Sequence, residues 1–141
     1  MNIREAIYSR IVATGDAPTA AEAAAIVGVA RETAEQAFRD LAEAHVIVLD
    51  GNSTTILFAP PFSAVPTGFR VHTPERAYFG VCAWDAFGVA AALHTDARIA
   101  AACAWSGDAI ACGVENGRAY GDGIIHLLVP AAHFWDNIVF T

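Results

Sequence analysis

The chain has 141 residues and a mass of 14.8 kDa, enough for one ordinary domain or two very small ones sharing a core. Hydrophobic residues make up 55% and charged residues only 16%, and the mean hydropathy is +0.41. These values exclude a disordered chain and point to a deeply buried core or a partner surface. All eight basic residues are arginines, set against 15 acidic ones for a net charge of -7, so a polyanion-binding surface is disfavoured.

The N-terminus carries Arg4, Glu5 and Arg10 within a helical pattern and has no apolar signal-peptide core. Ile3, Ile7, Ile11 and Val12 recur at helical spacing, and Gly15, Asp16 and Pro18 end that segment. Thr19 caps a second helix running to about Val27, with Glu22 completing a capping box and Gly28 breaking the helix. A third helix is predicted over Arg31 to Ala44, with Ala34, Phe38 and Leu41 on its buried stripe. Val46 to Leu49 and Thr54 to Phe58 then flank Asp50-Gly51-Asn52-Ser53, a hairpin signal.

Three helices followed by a hairpin is the winged-helix order, in which the third helix commonly enters DNA. The charges oppose that use. Residues 1–50 carry four arginines against eight acids, and Glu32, Glu35, Asp40 and Glu43 would set the third helix against phosphates. DNA is therefore an unfavoured partner, and the unit is expected to play a structural or docking role.

Ala59-Pro60-Pro61-Phe62-Ser63 through Pro66 is the proline-rich stretch and reads as a linker. Beyond it, Phe69 to His72 and Ala77 to Val81 read as strands around the turn Thr73-Pro74-Glu75-Arg76. A helix follows from about Ala83 to Leu93, then strands at Arg98 to Ala102, Ile110 to Glu115 and Ile124 to Val129. Turns are expected at Ser106-Gly107-Asp108, Asn116-Gly117 and Gly121-Asp122-Gly123. The longest apolar runs, such as Phe87 to Leu93, fall far short of the roughly 20 residues a membrane span needs, so no membrane association is expected.

The three cysteines, Cys82, Cys103 and Cys112, form neither a CxxC pair nor a Cys/His finger. An odd number of free thiols fits a reducing, cytoplasmic compartment. Cys82-Ala83-Trp84-Asp85 stands where a strand pattern turns into a helix. With Cys82 at the N-cap, orphan N–H groups and the helix dipole favour its thiolate, and the thiol is expected to ionise below the ordinary value for cysteine. Asp85 then lies at N3, within a turn of the sulfur. A thiolate can hold a soft metal, and a carboxyl group can relay a proton. The bland reading of the same residues is a helix-start aspartate and a small buried filler. Trp84, between them, could wall a pocket and exclude water.

The stretch Phe79-Gly80-Val81-Cys82-Ala83-Trp84-Asp85-Ala86-Phe87 resembles the active-site segment of the organomercurial (alkylmercury) lyase family. Downstream, Ala97-Arg98-Ile99, Cys103, Gly107 and Ile110 resemble the family's next strand, its structural third cysteine and the following turn. Upstream, the winged-helix order resembles the family's N-terminal domain. The resemblance implies protonolysis of a carbon–mercury bond, in which two cysteine thiolates coordinate mercury and an aspartate passes a proton to the departing carbon. It makes Cys82 the first thiolate and Asp85 the acid, and both are expected as mercury ligands. It implies an organomercurial or Hg(II) as ligand and no resident cofactor, Hg(II) being the product. The family's second catalytic cysteine falls in a late strand, and the matching region, Val129-Pro130 through Phe140-Thr141, holds none. The expectation is either a C-terminally incomplete domain or a homologue without the second thiol.

Cys103 and Cys112 are poor substitutes for that thiol, the first matching a structural cysteine and the second lying in an alternating strand that buries it. His45, His72, His94, His126 and His133 are scattered without metal-ligand spacing. The expected architecture is α+β: an N-terminal winged-helix-like three-helix unit, residues 1–60, packed through an apolar interface on a small mixed or antiparallel sheet carrying one helix, residues 61–141. The leading function is that of an organomercurial-lyase-like protein whose activity is full, partial or lost. The alternative is a non-enzymatic winged-helix ligand or metal sensor, or a transcription-related binding protein. An uncovered sheet edge and apolar patch predict self-association into a homodimer.

Overall fold

The computed structural model describes residues 1–141. Three helices open the chain: α1 (Ile3–Thr14), α2 (Ala20–Val27) and α3 (Arg31–Glu43). Both of the first two begin in a full capping box, Asn2 with Glu5 and Thr19 with Glu22, so their first orphan N–H groups are satisfied reciprocally. Both end on a left-handed glycine, Gly15 at φ 88° and Gly28 at φ 81°, a conformation that costs glycine little. Ala34 and Phe38 bury the inner face of α3, with Leu41 half-buried beside them, whereas Val12 of α1 lies at the surface.

A hairpin of β1 (Val48–Leu49) and β2 (Ile56–Ala59) follows, closed by the predicted Asp-Gly turn. The proline-rich stretch departs from the expectation of a linker. Pro60 and Pro61, joined by a cis peptide bond, form the turn between β2 and β3 (Phe62–Ser63), and the residues on either side are interior: Ala59, Phe62 and Ser63 are all buried. Proline is common in turns, and the apolar residues flanking it claim the core.

The remaining strands are β4 (Arg70–His72), β5 (Ala77–Gly80), β6 (Ala97–Ala102), β7 (Ala109–Glu115) and β8 (Arg118–Gly121), with α4 (Ala83–Leu93) between β5 and β6. All eight strands form one sheet in the order β1-β2-β3-β5-β4-β6-β7-β8, and every pairing is antiparallel. The sheet is thus larger than expected, and it incorporates the N-terminal hairpin. Register aligns Tyr78, Val71, Ile99 and Cys112 across β5, β4, β6 and β7, and all four are buried in one row. Ala86, Val89 and Ala90 of α4 share a continuous buried cluster with that row and with Ile3, Ile7 and Ile11 of α1.

The strand expected over Ile124 to Val129 does not form. β7 instead turns at Asn116-Gly117, both at positive φ, and pairs with Arg118–Gly121. A two-residue Asn-Gly step sets register immediately, so the nearest four residues complete the hairpin before the more apolar segment can pair. The chain then runs irregularly to a 3₁₀ helix (Ala131–Asn137), leaving Ile124 95% and Leu128 71% exposed.

Candidate functional site

Cys82 is the N-cap of α4, with extended backbone at φ -139°, and Asp85 lies three residues on in its first turn. Their side chains meet. The Cys82 thiol donates to Asp85 Oδ2 at 3.6 Å, a normal distance for sulfur, and both residues are half-buried. The helix start is seated by a residue that cannot carry a side chain: a Cβ on Gly80, the last residue of β5, would lie 2.7 Å from the Ala86 backbone. Gly80 itself is tied down, its N–H donating to the Phe69 carbonyl at 2.9 Å and its carbonyl accepting from Thr67 Oγ1 at 2.6 Å.

The cis-proline turn buttresses the same region from the other side. The Val81 N–H donates to the Pro61 carbonyl at 3.3 Å, and a Cβ on Gly88 of α4 would stand 3.2 Å from Pro61. Tyr8 of α1 donates through its hydroxyl to the Pro60 carbonyl at 3.1 Å, and its ring packs edge-on against Phe62 at 6.5 Å between centroids. Burial raises the Tyr8 pKa, Arg4 lowers it, and the charge of Asp85 raises it, so α1 lies within electrostatic reach of the site. Sequence patterning alone offered no signal for Tyr8 here, because only the fold brings residue 8 to residue 60.

Burial raises the pKa of Asp85, with the Cys82 hydrogen bond pulling the other way, and a carboxyl group held up in this way retains its proton at higher pH. Cys82 corrects the expectation from helix geometry. Its sulfur closes no capping hydrogen bond of full geometry, although the N–H groups of Asp85 and Trp84 lie near enough to favour thiolate. Burial outweighs them, and the neighbouring Asp85 adds to it, so the thiol titrates above its ordinary value. Trp84 does not wall a pocket: its side chain is 69% exposed.

The other thiols stand apart. Cys112 is buried in β7 and faces the Ile99 carbonyl at 3.8 Å, with its pKa raised by burial. Cys103 follows β6 in the turn that binds its carbonyl to Gly107 N–H at 2.8 Å. The Ser106 N–H, the Ser106 hydroxyl and the Trp105 N–H hold its thiol below the ordinary value. No group of three or more His, Cys, Asp and Glu side chains gathers at a metal-binding separation, and no helix is long and apolar enough to cross a membrane.

A family model for alkylmercury lyase (MerB) matches residues 62–141, more than half of the chain and the whole segment from β3 onward. The chain belongs to the alkylmercury lyase family. Among solved structures, the mercury-bound form of MerB2 superposes with a TM-score of 0.66 at 25% identity, covering 84% of this chain. The chain in turn spans 58% of that protein's length. No curated protein matches the chain by sequence. The pairing of Cys82 and Asp85 at one helix start is the arrangement with chemical capacity, a soft donor and a carboxyl group of raised pKa within a single turn.

Proposed function

We propose that the protein binds an organomercurial through Cys82 and delivers the Asp85 proton to its carbon. The carrying observation is the 3.6 Å contact between thiol and carboxyl at the start of α4, inside the segment matched by the family. The thiol first exchanges onto mercury, losing its proton to the departing counter-ligand. The carbon–mercury bond then breaks with both electrons going to carbon, which takes the Asp85 proton and leaves as hydrocarbon. Hg(II) stays behind on the Cys82 sulfur and the freed Asp85 carboxylate. Sulfur suits a soft metal, and the burial that raises the Asp85 pKa shifts its balance toward the acid form that the second step uses. The scheme uses side-chain groups alone and needs no cofactor.

Phenylmercury incubated with the purified chain tests this reading by gas chromatography of released benzene. Release is expected from the wild type; Asp85→Asn should abolish it yet hold uncleaved phenylmercury on the Cys82 sulfur, and Cys82→Ser should lose both. A second reading is favoured by the solitude of Cys82, since neither other cysteine contacts it: capture of Hg(II) without turnover, as a binding or sensing protein. Stoichiometric mercury retention with no benzene would establish that reading in place of the first.

The three-helix order and adjoining hairpin support a winged-helix-like unit over residues 1–60 beside the lyase-like unit over 61–141. Three free cysteines support a cytoplasmic location. The open edge strand β8 and the exposed Ile124, Leu128 and Phe140 support a homodimer, which sedimentation would reveal as a species of twice the mass.

A further inference from the structure

A cleft lies apart from Cys82. It measures about 510 Å³ and opens where the end of α3, the β1–β2 hairpin and the C-terminal 3₁₀ helix meet. That volume lies within the range of small-molecule sites. We propose that this cleft binds a small monoanionic organic acid with an apolar body, a second ligand site independent of the thiol–carboxyl pair.

Charge is the first argument. The chain carries a net charge of -7, yet no carboxylate is found among the residues lining the cleft, and Arg39 stands there without an ion pair. The N–H groups of Gly51 and Asn52, on the hairpin turn at the same cleft, donate to no backbone carbonyl. A guanidinium fork matches one carboxylate in bidentate fashion, and adjacent N–H donors complete its shell. One cation suits a monoanion better than a dianion.

Construction is the second argument. Ile47, Leu49, Trp135 and Ile138 supply apolar wall. His45 stacks on Trp135 with ring centroids 4.2 Å apart and planes 1° from parallel, which joins the 3₁₀ helix to the end of α3. His45 makes that contact from a left-handed backbone, φ 59°, a conformation unfavourable for a non-glycine residue and sustained by its surroundings. A polar end and an apolar wall in one cleft select an amphiphilic acid over either a bare anion or a neutral hydrocarbon.

Benzoate and its neutral counterpart benzamide, titrated into the isotope-labelled full chain, provide the test by amide and indole chemical shifts. Expected are saturable shifts at Arg39, Asn52, Ser53 and the Trp135 indole with benzoate, weakened about tenfold or more with benzamide, the loss that removing one charge-assisted contact brings. Arg39→Gln should weaken benzoate to the same degree, and Arg39→Lys, which keeps the charge without the fork, should fall between. Arg39 is exposed and unpaired, so both variants should fold. Equal binding of the two probes, shifts confined to residues 124–128, or no saturation would each overturn the proposal. Because the readout does not involve Cys82 or mercury, its failure leaves the lyase reading untouched, and the converse holds.

Discussion

Cys82 and Asp85 were legible as a pair from spacing, since an N-cap and N3 share a helical turn, but the sign of the thiol shift was not. The N-cap argument counts dipole and N–H groups, which a sequence reveals; burial, which outweighs them here, depends on how tightly Gly80 lets α4 settle on β5. The consequence reverses the naive reactivity order. At pH 7, in the absence of mercury, iodoacetamide should label Cys103 fastest, because its thiol is held down by Ser106 and Trp105, whereas Cys82 and Cys112 are pushed up by burial. Mass-spectrometric time courses for the three peptides check this, and faster labelling of Cys82 would mean that its helix start dominates after all. Asp85 has a stability counterpart. Its folded pKa is raised above the unfolded value, so its contribution is fully present below the unfolded pKa and is lost as pH rises through the folded one. Asp85→Asn should therefore be more stable than wild type near pH 8, with the difference closing toward pH 3, as read by denaturant midpoints at the two pH values.

At the scale of elements, helices with strong end signals were read almost to the residue. Thr19 with Glu22 and the left-handed glycines fix α2 locally, and Thr19→Ala should cost about 1 kcal/mol by removing the cap. Strand identities were harder wherever pairing, a non-local event, decided them. Ile124 to Val129 has the better strand composition, yet the Asn116-Gly117 turn gives β7 a nearer partner. Pro60-Pro61 carries a linker's composition, but burial of Phe62 turns it into a hairpin corner. Gly80 had no signal beyond being glycine, and its role appears only in three dimensions. Gly80→Ala would place a methyl against the Ala86 backbone, which cannot yield as a flexible side chain can. Strain of this kind typically costs about 1–3 kcal/mol, and here it should also lift the first turn of α4. The expected result is a lowered melting temperature together with a loss of organomercurial binding larger than that of Val89→Ala, which removes core volume from the next turn of the same helix. Equal losses in the two variants would show that Gly80 serves stability alone.

Over the whole molecule, the helices and the sheet share one buried interior, in which Ile7 of α1, Phe38 of α3, Val71 of β4, Val89 of α4 and Ile99 of β6 are all fully enclosed. Two hydrogen bonds cross between the N-terminal helices and the later strands, Tyr78 Oη to the Val12 carbonyl at 2.9 Å and Tyr8 Oη to the Pro60 carbonyl. A shared interior makes cooperative unfolding the expectation, since exposing either part leaves the other's apolar face in water. The chain supplies two separable probes of this. Most of the helix lies in the first 43 residues, so ellipticity at 222 nm follows α1 to α3, while Trp84, Trp105 and Trp135 all lie beyond residue 80 and report the other part by fluorescence. Ile7→Ala deletes buried volume from α1 and should cost about 2–5 kcal/mol. If the interior is one unit, the urea midpoints by ellipticity and by fluorescence fall together and stay coincident, even though the substitution lies far in sequence from every tryptophan. A shift of the ellipticity transition alone would mean that the helices unfold separately, and that Tyr8 can leave the Pro60 carbonyl while the Cys82 helix start stays in place.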